Sequence, residues 1–218
     1  MTNGAQITNV YIDGFNLFYG ALKGSPHKWL DIEALCKKLL PPERHQLKRV
    51  RYFTARISAR KNDPQGPVRQ ETYLRALAAA QPLVTAHFGL FKTRPTRMPL
   101  AKPQPHGPKT VEVLKTEEKG SDVNLATYLL VDAFRNDAEC FVVISNDSDL
   151  VEPIRIVRHE LGKAVGIIHP GDPKHRSREL IDCQPTFFKQ IRQGALAASQ
   201  LPAHLTDAAG TISKPSDW

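Results

Sequence analysis

Apolar positions along this chain follow two alternating rhythms. Short runs rich in β-branched residues at 7–12 (ITNVYI), 48–54 (KRVRYFT), 83–90, 141–145 (FVVIS) and 164–168 (AVGII) predict strands. Between them, apolar residues recur at helical spacing. Residues 31–40 set Ile32, Leu35, Cys36, Leu39 and Leu40 on one face. Residues 69–80 do so with Tyr73, Leu74 and Leu77, and residues 122–134 with Val123, Ala126, Leu129, Leu130 and Ala133. Strands alternating with helices predict an α/β fold with a central, mostly parallel sheet, helices on both faces and right-handed crossovers. The core strands are continuously apolar, as strands covered on both faces should be.

Two segments break the rhythm. Residues 94–109, RPTRMPLAKPQPHGPK, carry five prolines and no sustained period, which predicts an extended, irregular, basic insertion. VEVLKT at 111–116 returns as a short strand, so 88–93 and 111–116 are expected to pair as a long-looped arm. Beyond about residue 193 the chain is rich in Ala, Pro and Ser. The expected organisation is one domain over 1–193 and a tail over 194–218, draped on the domain or partly mobile.

Composition narrows the setting. A chain of 218 residues can build one core, and 41% hydrophobic with 24% charged residues is ordinary for a soluble protein. No apolar run nears the roughly 18 residues that cross a bilayer, and MTNGAQITNV lacks the features of a secretion signal. Cys36, Cys140 and Cys183 are odd in number and show no CxxC spacing, so they read as buried free thiols of a reducing compartment. The expectation is a cytoplasmic protein with no membrane partner.

Charge changes the picture further. The net charge is +8, yet residues 111–160 hold 11 of the 22 acids and only 5 of the 30 Lys and Arg. Residues 44–69 carry eight Lys and Arg against the single acid Asp63, and residues 91–110 carry five against none. An acidic segment inside a basic protein suggests a cation site beside a polyanion-binding surface.

The acids sit where a parallel sheet places its ligands, in the crevice beyond the carboxyl ends of the strands. Asp13 follows the first strand, and Asp147 and Asp149 follow the strand at 141–145. If those strands are neighbours, their acids converge. Gly120 and Ser121 precede a helical pattern and put Asp122 in its first turn. Three or four carboxylates in one crevice repel unless a hard cation neutralises them. Oxygen-only ligands favour Mg²⁺ or Mn²⁺ over Zn²⁺. Each acid also has a structural alternative: Asp122 at a helix dipole, Asp147 or the Asp149–Glu152 pair as caps, and Asp13–Gly14 as a turn. Asp132 lies ten residues further along the helix, about 15 Å away, too far to share the ion.

Other chemistries fit less well. A haloacid-dehalogenase-like phosphatase needs a second Asp two residues after the first, where this chain has Phe15. Neither a GxxxxGK[ST] loop nor a GxSxG elbow occurs. The eight His show no metal spacing; His169, just past the strand at 164–168, is placed either to meet a phosphate or to sit solvated.

YIDGFNLFYG, EKGSDVNLATYLL and VVISNDSDLVEPIRIVRHELGKAVG together resemble the NYN-domain family of PIN-like ribonucleases. ARISARKNDPQGPVRQETYLRAL and SRELIDCQPTFFKQIR resemble its bacterial branch, and the likeness runs from about residue 7 to 193. The resemblance implies a PIN-like Rossmannoid fold and metal-dependent hydrolysis of RNA to a 5′-phosphate and a 3′-hydroxyl. Asp13, Asn16, Asp122, Asp147 and Asp149 match the family's acidic and amide positions. In that reading Asp13 and Asp147 hold one Mg²⁺ or Mn²⁺, Asp122 and Asp149 a second, and Asn16 orients a water or the phosphate. Many relatives have an acid where this chain has Tyr128, which leaves the number of ions open. It also keeps a catalytically weak or inactive RNA-binding module as the alternative, with a phosphatase of small phosphoesters a third reading.

RNA would be gripped by Arg56, Arg60, Lys61 and Arg69 around one loop, by Lys92, Arg94 and Arg97 on the arm, and by Lys119 beside Asp122. Phe15, Phe18 and Tyr19 are the nearby aromatics, with Phe15 and Tyr19 expected in the core. The arm and the tail each offer a surface for a homo-oligomer.

Overall fold

The computed structural model describes residues 4–218; residues 1–3, where the domain expectation begins, lie outside the described residues. The strands of the main sheet are β1 (Gln6–Asp13), β2 (His45–Ala55), β3 (Val84–Pro99), β4 (Thr110–Lys119), β5 (Cys140–Ile144), β6 (Ala164–His169) and β7 (Phe187–Gln190). They lie in the order β4-β3-β2-β1-β5-β6-β7. All neighbours pair in parallel except β3 and β4. The helices are α1 (Gly14–Leu17), α2 (Ile32–Leu39), α3 (Gly66–Ala80), α4 (Ser121–Phe134), α5 (Val151–Arg155), α6 (Arg178–Asp182) and α7 (Gln193–Ala197).

The side-chain alternation of the central strands builds two cores. Val10, Ile12, Val142, Ile144 and Ile168 pack to one side with Leu35 of α2 and Leu74 and Leu77 of α3. Tyr11, Phe141, Val143, Val165 and Ile167 pack to the other with Leu125 and Leu129 of α4 and Ile154 of α5. Every residue of β5 is buried. The mixed α/β fold with helices on both faces is the one the sequence predicts.

The winding places the crevice. From β1 the chain builds outward through β2 to β3, then returns to lay β5 against the opposite side of β1. Thr8 to Ile12 pair in register with Cys140 to Ile144. The β1/β5 border is therefore the switch point of the sheet, and the loops after both strands open into one crevice.

The proline-rich segment corrects the sequence reading. Residues 94–99 are not irregular: β3 runs unbroken to Pro99 and pairs antiparallel with β4 from Leu90↔Lys119 to Pro99↔Thr110. Residues of an antiparallel strand point their N–H alternately toward and away from the partner. Leu100 N–H bonds to Lys109 O, so even-numbered residues face β4. Pro95 and Pro99 occupy the outward parity, where no donor is required. Only 100–109 connects the strands irregularly.

The segment after 193 folds back as α7 and a hairpin of β8 (His204–Asp207) and β9 (Gly210–Ser213). Arg75 of α3 donates to Asp207 at 2.6 Å, and Trp218 packs on Trp29 and Tyr73. Among the described residues no helix is long and apolar enough to cross a membrane.

Candidate functional site

Asp13, at the carboxyl end of β1, is 5% exposed. Its Oδ1 accepts the Asn16 N–H at 2.9 Å, which caps α1. Its Oδ2 accepts the Ser145 hydroxyl at 3.0 Å. Gly14 is needed for this abrupt strand-to-helix change, since a Cβ there would stand 2.6 Å from Phe53 O. The same Ser145 oxygen accepts the Asp147 N–H at 3.0 Å, so one hydroxyl ties the first acid to the loop of the second. Asp147 in turn caps a short 3₁₀ turn, Ser148–Leu150, through the Asp149 N–H.

Asp122 comes from the third direction. Gly120 takes a left-handed φ of 100°, turning β4 into α4, and Asp122 falls in the first helical turn. Glu118 anchors that turn by accepting the Ser121 N–H at 3.1 Å and its hydroxyl at 2.7 Å. One carboxylate oxygen each from Asp13, Asp122 and Asp147 lies within 4.8 Å of the others.

The electrostatics of this convergence are unfavourable without a cation. Burial and then the neighbouring Asp13 and Asp147 push Asp122 up to about 6, with Glu118 and Asp149 adding to the shift. Burial raises Asp13 as well, against the hydrogen bonds from Asn16 and Ser145, and Asp147 adds to the rise. Among the described residues, none of the ion pairs involves Asp13, Asp122 or Asp147.

The other two expected members stand beside the cluster. Asp149 is exposed and outside the group of three, and its N–H donates to the capping Asp147 carboxylate. Asn16 lines the crevice, but its Oδ1 accepts the Asn146 N–H at 3.0 Å. Its amide NH₂ is the group left to a ligand. The expected Asp149–Glu152 cap does not form in that way, since Glu152 pairs with Arg155 at 2.6 Å.

The crevice measures about 670 Å³ and contains residues the sequence reading missed: Glu118, Ser121, Phe91, Asn146, Asp172 and His175. Ser145 and Glu118 each bond within three residues of an acid, but only folding shows which hydroxyl or carboxylate does so. The aromatics fall opposite to expectation. Phe15 and Tyr19 line the crevice, while Phe18 packs on the core. Phe15 meets Phe91 edge-on at 5.7 Å. His169 also lines the crevice but is 1% exposed, not solvated, and its Nε2 bonds to Asp172 O at 2.9 Å.

The expected RNA-binding cations divide. Arg60 lines the crevice itself. Lys61 and Lys92 are exposed. Arg56 pairs with Glu71 and lies over the Phe88 ring. Arg69 is held between Asp63 and Asp217. Arg94 and Lys119 face Glu117 at 3.9 and 3.6 Å, and Arg97 bonds to the Thr110 hydroxyl.

Comparisons with known proteins complete the description. The family model described as the NYN domain matches residues 7–192. The chain is 31% identical to the 6-hydroxy-3-succinoylpyridine 3-monooxygenase HspA of Pseudomonas putida (strain DSM 28022 / S16), over 97% of this chain and 75% of that protein. A crystal structure of a protein of unknown function from Vibrio parahaemolyticus shares the fold, with a TM-score of 0.56 at 14% identity. That likeness covers 92% of this chain and 99% of the other.

Proposed function

The chain belongs to the NYN domain family, whose fold is PIN-like, and from that premise we propose that it is a divalent-metal-dependent ribonuclease. The observation that carries the reading is the convergence of Asp13, Asp122 and Asp147 within 4.8 Å at the switch point of the sheet. The donor set is all oxygen, and its charges raise the proton affinity of Asp13 and Asp122. Both facts suit a hard cation such as Mg²⁺ or Mn²⁺. Bound there, the ion would supply positive charge for the phosphate and an acidified water as nucleophile.

The chain's own groups have separate tasks. The Asp13 carboxylate is fixed by Asn16 and Ser145, and Ser145 also holds the Asp147 backbone while the Asp149 N–H holds the Asp147 carboxylate. Asp122 closes the third side from α4. Asn16 offers an uncharged N–H donor to a phosphate oxygen, adding no repulsion. Asp149 stands behind Asp147, close enough to raise Asp122, and is assigned a supporting, water-bridged role. Arg60 at the crevice wall, with Arg56 and Lys61 on the same loop, holds the polyanion. RNA is the proposed partner and the cytoplasm the proposed compartment, in keeping with three free buried thiols.

The test uses labelled single-stranded RNA with Mn²⁺, Mg²⁺ or EDTA, beside Asp13→Asn. Cleavage that needs metal and disappears in the variant, with RNA affinity equal or tighter, is expected. Binding without cleavage in any metal would instead assign the weak or inactive RNA-binding module.

A second reading rests on the likeness to the Pseudomonas putida monooxygenase across nearly the whole chain. Under it, Phe15, Tyr19 and Phe91 give the crevice an apolar wall for a small heteroaromatic substrate. A monooxygenase inserts one atom of O₂ and reduces the other to water, so it needs a two-electron reductant. Oxygen uptake on adding 6-hydroxy-3-succinoylpyridine and NADH, with no RNA cleaved, would favour it.

A further inference from the structure

The crevice is aromatic on both flanks of its carboxylates. On the β3 side, Phe15 and Phe91 meet edge-on at 5.7 Å. On the β6 side stands Tyr19, 54% exposed, whose neighbour Gly20 packs against the loop after β6. The acids lie between, at the β1/β5 border. From β3 to β6 is four strand spacings, about 19 Å across the sheet. A polymer laid over the strand ends therefore passes an aromatic surface before and after the acids.

A single exposed tyrosine needs no explanation. Aromatic rings on both sides of a carboxylate cluster do, because the acids repel a polyanion wherever an ion does not neutralise them. A neutral ring offers attraction that this charge does not oppose. The Tyr19 end is also held in place. Gly20 and Gly171 meet there closely, since a Cβ on Gly20 would stand 3.3 Å from Gly171 N, so both contribute bare backbone beside Tyr19. Lys23 Nζ lies 4.9 Å over the Tyr19 ring and brings a cation to the same spot. Asn146 ties the loop after β6 to the acid-bearing turn: its side chain donates to His175 O at 2.7 Å and accepts the Ser177 N–H at 2.8 Å. A surface fixed in this way loses little freedom when a ligand settles on it.

We propose that Tyr19 and the Phe15–Phe91 pair are stacking platforms for unpaired bases on either side of the cut phosphate, which makes single-stranded RNA the substrate class and excludes paired RNA. The inference rests on the ribonuclease reading and adds its specificity. Bases in a duplex stack on one another and turn only their edges outward, so they do not lie on either platform. An unpaired base offers a π-face whatever its identity. The platforms therefore select single strands without selecting sequence.

The experiment follows Mn²⁺-dependent cleavage of one unpaired RNA with a mapped cut, and of the same RNA with a single abasic nucleotide moved along it. Wild type should lose about tenfold in kcat/KM when the missing base falls at a platform, the scale of one lost stack. Annealing a complementary strand should abolish the cut. Tyr19→Ala should lose a similar factor on the intact RNA and become indifferent to the abasic nucleotide on one side of the cut, while keeping its sensitivity on the other. Phe91→Ala should do the reverse. Tyr19→Phe, which keeps the ring, should regain the sensitivity, a recovery that a merely structural role would not give. Mn²⁺ binding by each variant should match wild type. If wild type cuts every abasic RNA as fast as the intact one, or cuts the duplex equally well, the platforms are overturned and the ribonuclease reading stands. The same holds if Tyr19→Ala stays as sensitive as wild type on both sides. Wild type that cuts no RNA in any metal overturns both.

Discussion

The two acids of α4 were met with opposite arrangements. At its C-terminal half, Asp132 is 3% exposed and completely answered from within. Arg51 grips it with two bonds, at 2.8 and 3.0 Å, and the Tyr11 hydroxyl donates a third at 2.7 Å. Arg51 in turn lies 4.4 Å over the Tyr128 ring and meets His87 at 3.2 Å. At the first turn of the same helix, Asp122 is left among other carboxylates. The neighbours on β1 repeat the contrast, with Tyr11 serving Asp132 while Asp13 faces Asp122. A fold that supplies a buried Arg to one acid but leaves three others without a cationic partner at its ligand-binding edge fits the cation site proposed above.

The largest break of this contrast comes from Asp147→Asn. Removing one of three charges should lower metal-dependent RNA cleavage by about 10³-fold or more, roughly 4 kcal/mol of barrier, while the urea midpoint of the metal-free protein holds or rises. The reverse pattern should follow Asp132→Ala. There the Arg51 charge is left buried and unpaired, and stability should fall by about 3–5 kcal/mol in urea unfolding. Mn²⁺ affinity of the folded variant should be preserved. A loss of metal binding in that variant without unfolding would merge two sites kept separate here.

A smaller effect sharpens the comparison by pH. Asp122 titrates at about 6 in the folded protein, above its ordinary value near 3.9. An acid raised in this way favours folding fully below about pH 4, and that contribution is lost as pH rises through 6. Asp122→Asn should therefore stabilise the metal-free protein at pH 7.5 by about 1 kcal/mol, water on its open side screening part of the charge. The gain should vanish toward pH 4, and saturating Mn²⁺ should reverse it by stabilising wild type alone. Thermal melts of both proteins, with and without metal, provide the check.

Much of this was legible in the sequence, and the exceptions have physical reasons. FVVIS and ITNVYI announced buried strands because residues covered on both faces leave no room for polar alternation. GSD before an apolar helical period announced the turn that carries Asp122. The short strand at Phe187–Gln190 and the tail hairpin went unseen because four-residue elements carry too little periodicity. The arm is under-read because prolines argue against a strand unless their parity is known, and parity depends on a partner eleven to nineteen residues away. Helical spacing alone puts Phe15 and Tyr19 in the core, but the helix after Asp13 widens at Phe18–Leu22 and turns Phe18 inward instead.

The most direct test is a calorimetric titration of Mn²⁺ into the metal-free protein at pH 6.5, run beside Asp147→Asn. The account predicts saturable binding accompanied by proton release, as Asp122 gives up the proton its neighbours help it hold, and loss of that binding in the variant. Absence of saturable binding up to millimolar Mn²⁺, or binding indifferent to Asp147, would contradict it.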